Sequence, residues 1–129
     1  MDLVPPQPSP KKRAAFERGL LAEAFVARRL EADGWSVLAR NVRASGGELD
    51  IVVLRDGHLR FVEVKARDPG DDTALEAVGR TKQRKLARAA EEWLAVHGPP
   101  ERDAAFLVAV VTFIPDGWTL ELLDNAFDV

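Results

Sequence analysis

The sequence predicts an α/β domain layered on one mixed β-sheet. Three observations lead there: a stretch of helical period opens the chain, two strand-like runs meet at Asp56-Gly57, and a near-continuous apolar run, residues 105–114, follows a second helical stretch. The implied order is helix, three strands, helix, two strands. A length of 129 residues suits a single core.

Residues 1–12 contain Pro5, Pro6, Pro8 and Pro10 and lead into a basic run, Lys11-Lys12-Arg13, which reads as an extended, disordered tail. The α/β domain is assigned to residues 13–129. Over residues 14–33, Phe16, Leu20, Ala24, Ala27 and Leu30 recur at three- and four-residue steps, and Gly34 stops the helix. Residues 35–42 form a first strand through Trp35, Val37 and Val42, and Ser45-Gly46-Gly47 turns the chain. Residues 48–54 and 59–66 are two strands joined at Asp56-Gly57, a strong hairpin signal. Asp68-Pro69-Gly70-Asp71-Asp72 has the composition of a flexible loop. A second helix is predicted over 81–97, with Leu86, Ala89, Trp93 and Leu94 inward and Gly98-Pro99-Pro100 as its stop. The apolar run 105–114 suits a strand buried on both faces, and 118–123 a final edge strand.

Composition narrows the chemistry. There is no cysteine, which excludes disulfides, thiol catalysis and cysteine-ligated zinc. No apolar stretch approaches the roughly 20 residues that span a bilayer, and the N-terminus lacks a secretory apolar segment, so no membrane partner and a cytoplasmic location are expected. The net charge of −3 means that any nucleic-acid surface must be a local patch.

The hairpin places charges together. Centred on Asp56-Gly57, opposed residues have numbers summing to 113, so Val52 faces Phe61, Asp50 faces Glu63, and Glu48 faces Lys65. Alternation puts Glu48, Asp50, Val52 and Leu54 on one face with Leu59, Phe61, Glu63 and Lys65, and Leu49, Ile51, Val53, Val62 and Val64 on the other. Two carboxylates held opposite each other need a proton or a cation between them, and hard oxygen ligands suit Mg²⁺ or Mn²⁺. Glu23 lies near the inward stripe of the first helix and would add a third acid if that helix covers the charged face. The plainer reading is a cross-strand ion pair between Glu48 and Lys65 beside two solvated acids.

The stretches Gly46-Gly47-Glu48-Leu49-Asp50-Ile51 and Phe61-Val62-Glu63-Val64-Lys65-Ala66-Arg67 resemble the YraN family of bacterial proteins. Gly19-Leu20-Leu21-Ala22-Glu23, Arg40-Asn41-Val42-Arg43, Glu76-Ala77-Val78 with Lys82 and Leu86, and the closing Asn125-Ala126-Phe127 agree with it. That family is placed by similarity with the PD-(D/E)XK nucleases and archaeal Holliday-junction resolvases. The resemblance implies a three-layer, restriction-endonuclease-like domain with helices flanking the sheet. It further implies Asp50 and Glu63 as metal ligands, Lys65 as catalytic lysine and Glu23 as the acid from the first helix, which could hold the metal through water or a second ion. The implied activity is divalent-metal-dependent cleavage of DNA, branched or processed, with a homodimer matching the two-fold symmetry of a four-way junction. One position departs: where the family commonly has an aspartate in Phe-Asp-Val-Val, this chain has Phe106-Leu107-Val108-Ala109.

Phosphate contacts are expected from Lys82, Arg84 and Lys85 in a basic run at the second helix, and from Arg43 and Arg67 flanking the acids. Two rivals remain: a noncatalytic nucleic-acid-binding module that keeps the fold, favoured by the acidic balance and by Leu107, and a protein-interaction adaptor using the Pro-rich start.

Overall fold

A computed structural model describes residue 6 and residues 8–70, 79–98, 103–124 and 126. The outermost N-terminal residues, the 71–78 segment with Glu76-Ala77-Val78, Pro99-Pro100, and Asn125 and Phe127 lie outside the described residues. The elements are α1 (Pro10–Ala32), β1 (Ser36–Ala44), β2 (Gly47–Arg55), β3 (His58–Arg67), α2 (Arg80–His97), β4 (Asp103–Ile114) and β5 (Gly117–Asp124). This is the predicted order. Helix α1 starts four residues early, because Ser9 caps it by accepting the Lys12 N–H at 3.2 Å and Pro10 fits the first turn. Residues 10–12, read from sequence as tail, are therefore its opening turn.

The five strands lie in chain order, β1-β2-β3-β4-β5. Every pairing is antiparallel except β3 with β4, which is parallel. A parallel pair needs a long crossover, and α2 lies within it. Helices α1 and α2 cover opposite faces of the sheet, giving a three-layer α/β domain. Among the described residues no helix is long and apolar enough to cross a membrane.

The β2–β3 turn is the predicted one. Asp56 has φ 50° and Gly57 φ 78°, the two positive values of a tight hairpin turn whose twist matches its strands. The pairs from Arg55–His58 out to Ile51–Val62 sum to 113, as expected. There the β2–β3 ladder ends. Asp50–Glu63 and Glu48–Lys65 are not ladder pairs. Beyond Ile51, β2 pairs only with β1, while β3 runs on beside β4 to Arg67.

Alternation also breaks at this point. Ile51, Val53 and Val62 pack under α1 with Val26, Leu30, Leu107 and Val111. Val52, Leu59, Phe61 and Phe106 pack under α2 with Leu86 and Trp93. Leu49, expected beside Ile51, belongs to the α2 side instead. The phase of β2 thus shifts between Leu49 and Ile51, opposite Asn41 of β1, whose φ is 53°. A left-handed residue in a strand kinks it and re-aims its neighbours, as a bulge does.

Helix α1 corrects a second expectation. Its buried residues are Ala22, Val26, Ala27 and Leu30, whereas Phe16 is 67% and Leu20 49% exposed. The stripe that packs on the sheet begins only at Ala22. It covers the Ile51 face, not the face that carries Glu63 and Lys65.

Candidate active site at the fork of the hairpin

At the turn end of the sheet, charge is internally matched. The nearly buried Arg60 guanidinium donates to Asp124 at 2.7 Å and to the Asp103 and Leu59 carbonyls at 3.0 Å, and Asp103 also meets His58 at 2.7 Å. The opposite end is different, because there carboxylates crowd one another as well as the lysines beside them.

Asp50 stands where β2 and β3 part. Its Oδ2 accepts the Val64 N–H at 2.8 Å, so a side-chain carboxylate replaces the next backbone acceptor of the ladder. Burial, then the charge of Glu63, pushes the Asp50 carboxyl up from 3.8 to about 7, with Glu23 adding to the rise and the Val64 N–H opposing it. Glu63 is 5% exposed and lies on the α2 face of β3. Its Oε1 is 3.4 Å from Lys65 Nζ and 2.9 Å from Lys82 Nζ. Lys65 is held below the usual lysine range by burial and by hydrogen bonding and charge from Lys82. Burial works against Lys82 too, but its contacts with Lys65 and Glu63 and the charge of Asp50 raise it.

The β1–β2 turn brings α2 over these groups. A Cβ on Gly47 would stand 3.1 Å from the Lys85 carbonyl oxygen, so any larger residue would push the turn and the helix apart by a few tenths of an ångström. Ser45 Oγ donates to the Glu92 carboxylate of α2. The result is a cavity of ≈ 280 Å³ between turn and helix, lined by Gly47, Glu48, Asp50, Glu63, Lys82 and Lys85.

Glu23 arrives from the other side. Helix α1 covers the opposite face, so Glu23 approaches Asp50 around the open fork rather than over Glu63. Burial raises its carboxyl, with Glu48 and Glu63 adding and Arg40 opposing. With its amide oriented to satisfy the network, Asn41 donates to Glu23 Oε1 at 3.1 Å and to Glu48 Oε1 at 3.2 Å. A second cavity of ≈ 280 Å³ opens here, and Asp50 lines both.

Of the predicted site residues, Asp50, Glu63, Lys65 and Lys82 converge, and Glu23 joins from the far face. Lys85 lines the α2-side cavity, Arg84 is exposed, and Arg43 lies at the β1–β2 turn. Arg67 Nε donates to Thr112 Oγ1 at 2.8 Å, directed toward β4. Sequence reasoning gave no role to Asn41 or to Glu48 beyond a cross-strand pair. The available signal was an asparagine inside a strand pattern, since asparagine tolerates positive φ.

Among the described residues no group of three or more histidines, aspartates and glutamates is close enough to hold a metal. The donor set still fits a hard divalent ion. Mg²⁺ uses one or two carboxylates, keeps several waters and shares its shell with phosphate. Asp50 and Glu63 supply two carboxylates whose mutual repulsion a dication would relieve.

The sequence profile of the uncharacterised protein family UPF0102 matches residues 22–126, a span that holds Glu23, Asp50, Glu63, Lys65 and Lys82. The chain belongs to that family. A UPF0102 protein of Methylorubrum populi is 42% identical over 125 residues, covering 97% of this chain and 98% of the relative. One from Methylorubrum extorquens is 40% identical over 126 residues, covering 97% and 95%. A UPF0102 protein of Gloeobacter violaceus is 48% identical over 101 residues, covering 76% and 80%. The YraN resemblance is thereby established as UPF0102 membership, and the fork of acids and lysines lies inside the part of the chain that the family profile matches.

Proposed function

We propose that this UPF0102 protein is a divalent-metal-dependent endonuclease acting on DNA. One observation carries the reading: Asp50, fixed by the Val64 N–H and crowded by Glu63, has its carboxyl pushed to about 7. A carboxyl perturbed by burial and a like charge, set beside a cleft with lysines at hand, marks a candidate functional site. Asp50 and Glu63 would hold Mg²⁺ or Mn²⁺, which supplies the Lewis acid for phosphodiester hydrolysis.

The chain's own residues do the rest. Lys65 Nζ, beside Glu63 and partly desolvated, stands to stabilise charge developing on the phosphoryl oxygens and to orient the attacking water. Lys82 Nζ lies 2.9 Å from Glu63 Oε1 and offers a second cation to phosphate, with Lys85 at the cavity rim. Glu23 adds negative charge from the far side, which strengthens the field that draws in a cation. Arg43, Arg84 and Arg67 are the further candidates for phosphate contacts, Arg67 by leaving Thr112.

A second reading, a noncatalytic nucleic-acid-binding module, draws support from Leu107, which is 4% exposed in the α1-side core where no ligand reaches it. Cleavage separates the two. Wild type is expected to cut branched, flapped or single-stranded DNA when Mg²⁺ or Mn²⁺ is present and to stop with chelator, and Asp50→Ala to lose metal binding. Metal binding that survives Asp50→Ala, or no cleavage of any substrate at any metal concentration, would contradict the nuclease reading.

A further inference from the structure

The cavity on the α1 side of Asp50 differs from its neighbour. Its wall is apolar, built from Phe16 and Leu20, which α1 carries past the sheet and leaves largely exposed. Its floor is polar, built from Glu23, Glu48, Asn41 and Asp50. Asn41 engages Oε1 of both glutamates, and their second oxygens have no hydrogen-bond donor among the described residues. An exposed ring that lines the same cavity as several carboxylate acceptors suits a flat ligand with an apolar face and N–H donors on its edge.

A nucleobase has that shape, and its place is set by continuity. Asp50 lines this cavity and the lysine-bearing one, so a strand crossing the fork would put a phosphate against Lys82 and Lys85 and an adjoining base against Phe16. Carboxylates accept from the amino groups of cytosine, adenine and guanine. They disfavour thymine and uracil, whose single edge N–H lies between two carbonyl oxygens. Bases inside a duplex are stacked and cannot offer their faces, whereas unpaired bases stack readily on aromatic side chains.

We propose that this cavity takes one unpaired, amino-bearing nucleobase of the bound strand, so that the substrate class is single-stranded or flapped DNA. The inference rests on the nuclease reading of the adjoining acids, but binding tests it separately. Fluorescence anisotropy of the full chain with labelled oligo-dC, oligo-dA, oligo-dT and a mixed-sequence duplex, at low salt, reads the preference directly. The expected result is about ten-fold tighter binding of oligo-dC and oligo-dA than of oligo-dT, from hydrogen bonding to the amino group, and than of duplex, whose bases cannot stack on the ring. Phe16→Ala should lose about ten-fold on the two favoured strands and leave duplex binding unchanged, while Phe16→Trp retains them and its added fluorescence is quenched. Phe16 is exposed, so neither variant threatens the core.

Equal affinity for oligo-dC and oligo-dT, or single-strand binding untouched by Phe16→Ala, would overturn the proposal. So would Phe16→Ala converting a dimer to a monomer with strand affinity intact, which would assign the apolar wall to a second copy of the chain. Base preference without cleavage would refute only the nuclease reading. Cleavage without base preference would refute only the pocket.

Discussion

Lys65→Ala is expected to slow divalent-dependent cleavage by about 10²–10³-fold while nucleic-acid binding changes little, the effect of removing one preorganised donor to a charged transition state. The geometry says why the loss should fall on chemistry. Lys65 is mostly buried, and its Nζ lies 3.4 Å from Glu63, inside the cluster and away from the open rim. Lys82, at 2.9 Å from the same oxygen, still balances Glu63 when Lys65 is gone, so the variant should remain folded. Lys82 itself is more exposed and nearer to solvent, and Lys82→Ala should act mainly on binding. Single-turnover rates with excess enzyme separate the two effects. A Lys65→Ala protein as fast as wild type would remove Lys65 from the mechanism and point to a contaminating nuclease.

Asp50→Asn is expected to stabilise the metal-free protein above neutral pH while abolishing activity. The folded state holds the Asp50 proton more tightly than the unfolded chain does, with a pKa of about 7 against 3.8. The stability this group contributes is therefore fully present below about pH 4 and is lost as pH rises through 7. Above that, the wild type carries a buried charge whose cost is on the order of 2–4 kcal/mol at most, from 1.36 kcal/mol per unit. Asparagine removes the charge, and its carbonyl oxygen can still accept the Val64 N–H. Denaturant unfolding at pH 8 in chelator should show the variant more stable than wild type, with the gap closing by pH 4. Asp103, lowered by His58 and Arg60, runs the opposite way and costs stability in acid, but it is common to both proteins and cancels in the difference. A variant less stable than wild type at pH 8 would show that Asp50 is an ordinary structural acid.

Much of this was legible in the sequence, and the failures are physical. Asp56-Gly57 demanded a tight turn with two positive φ values, and a two-residue turn fixes register, so the pairing of Val52 with Phe61 followed. The apolar run of β4 marked a strand buried on both faces, with Leu107, Ala109 and Val111 in the α1-side core, Phe106 under α2, and Val108 and Val110 in a cluster of their own with Leu123. The hairpin could not reveal where its own ladder stops. That is set by β1, whose Asn41 kink shifts the phase of β2 at Asp50 and turns Leu49 to the other face. The acids nevertheless met, because Asp50 reaches across the fork to Val64 instead of standing opposite Glu63.

Helix α1 shows a second limit. The stripe through Phe16, Leu20, Ala24, Ala27 and Leu30 and the stripe through Ala22, Val26 and Leu30 both satisfy helical spacing. Only packing on Ile51 and Val62 chooses the latter, and that choice leaves Phe16 and Leu20 beside the site. The spacing that sets Lys82 on the side of Leu86 points it at the sheet, but its direct partner, Glu63, is a tertiary fact.

The proposed chemistry turns on how tightly one side chain keeps its proton. A ¹³C NMR titration of the Asp50 carboxyl, run in chelator and again with Mg²⁺, reads that quantity at its source. A midpoint near 7 that falls by a unit or more on adding Mg²⁺ is the predicted result. A midpoint in the ordinary aspartate range, insensitive to the ion, would contradict it.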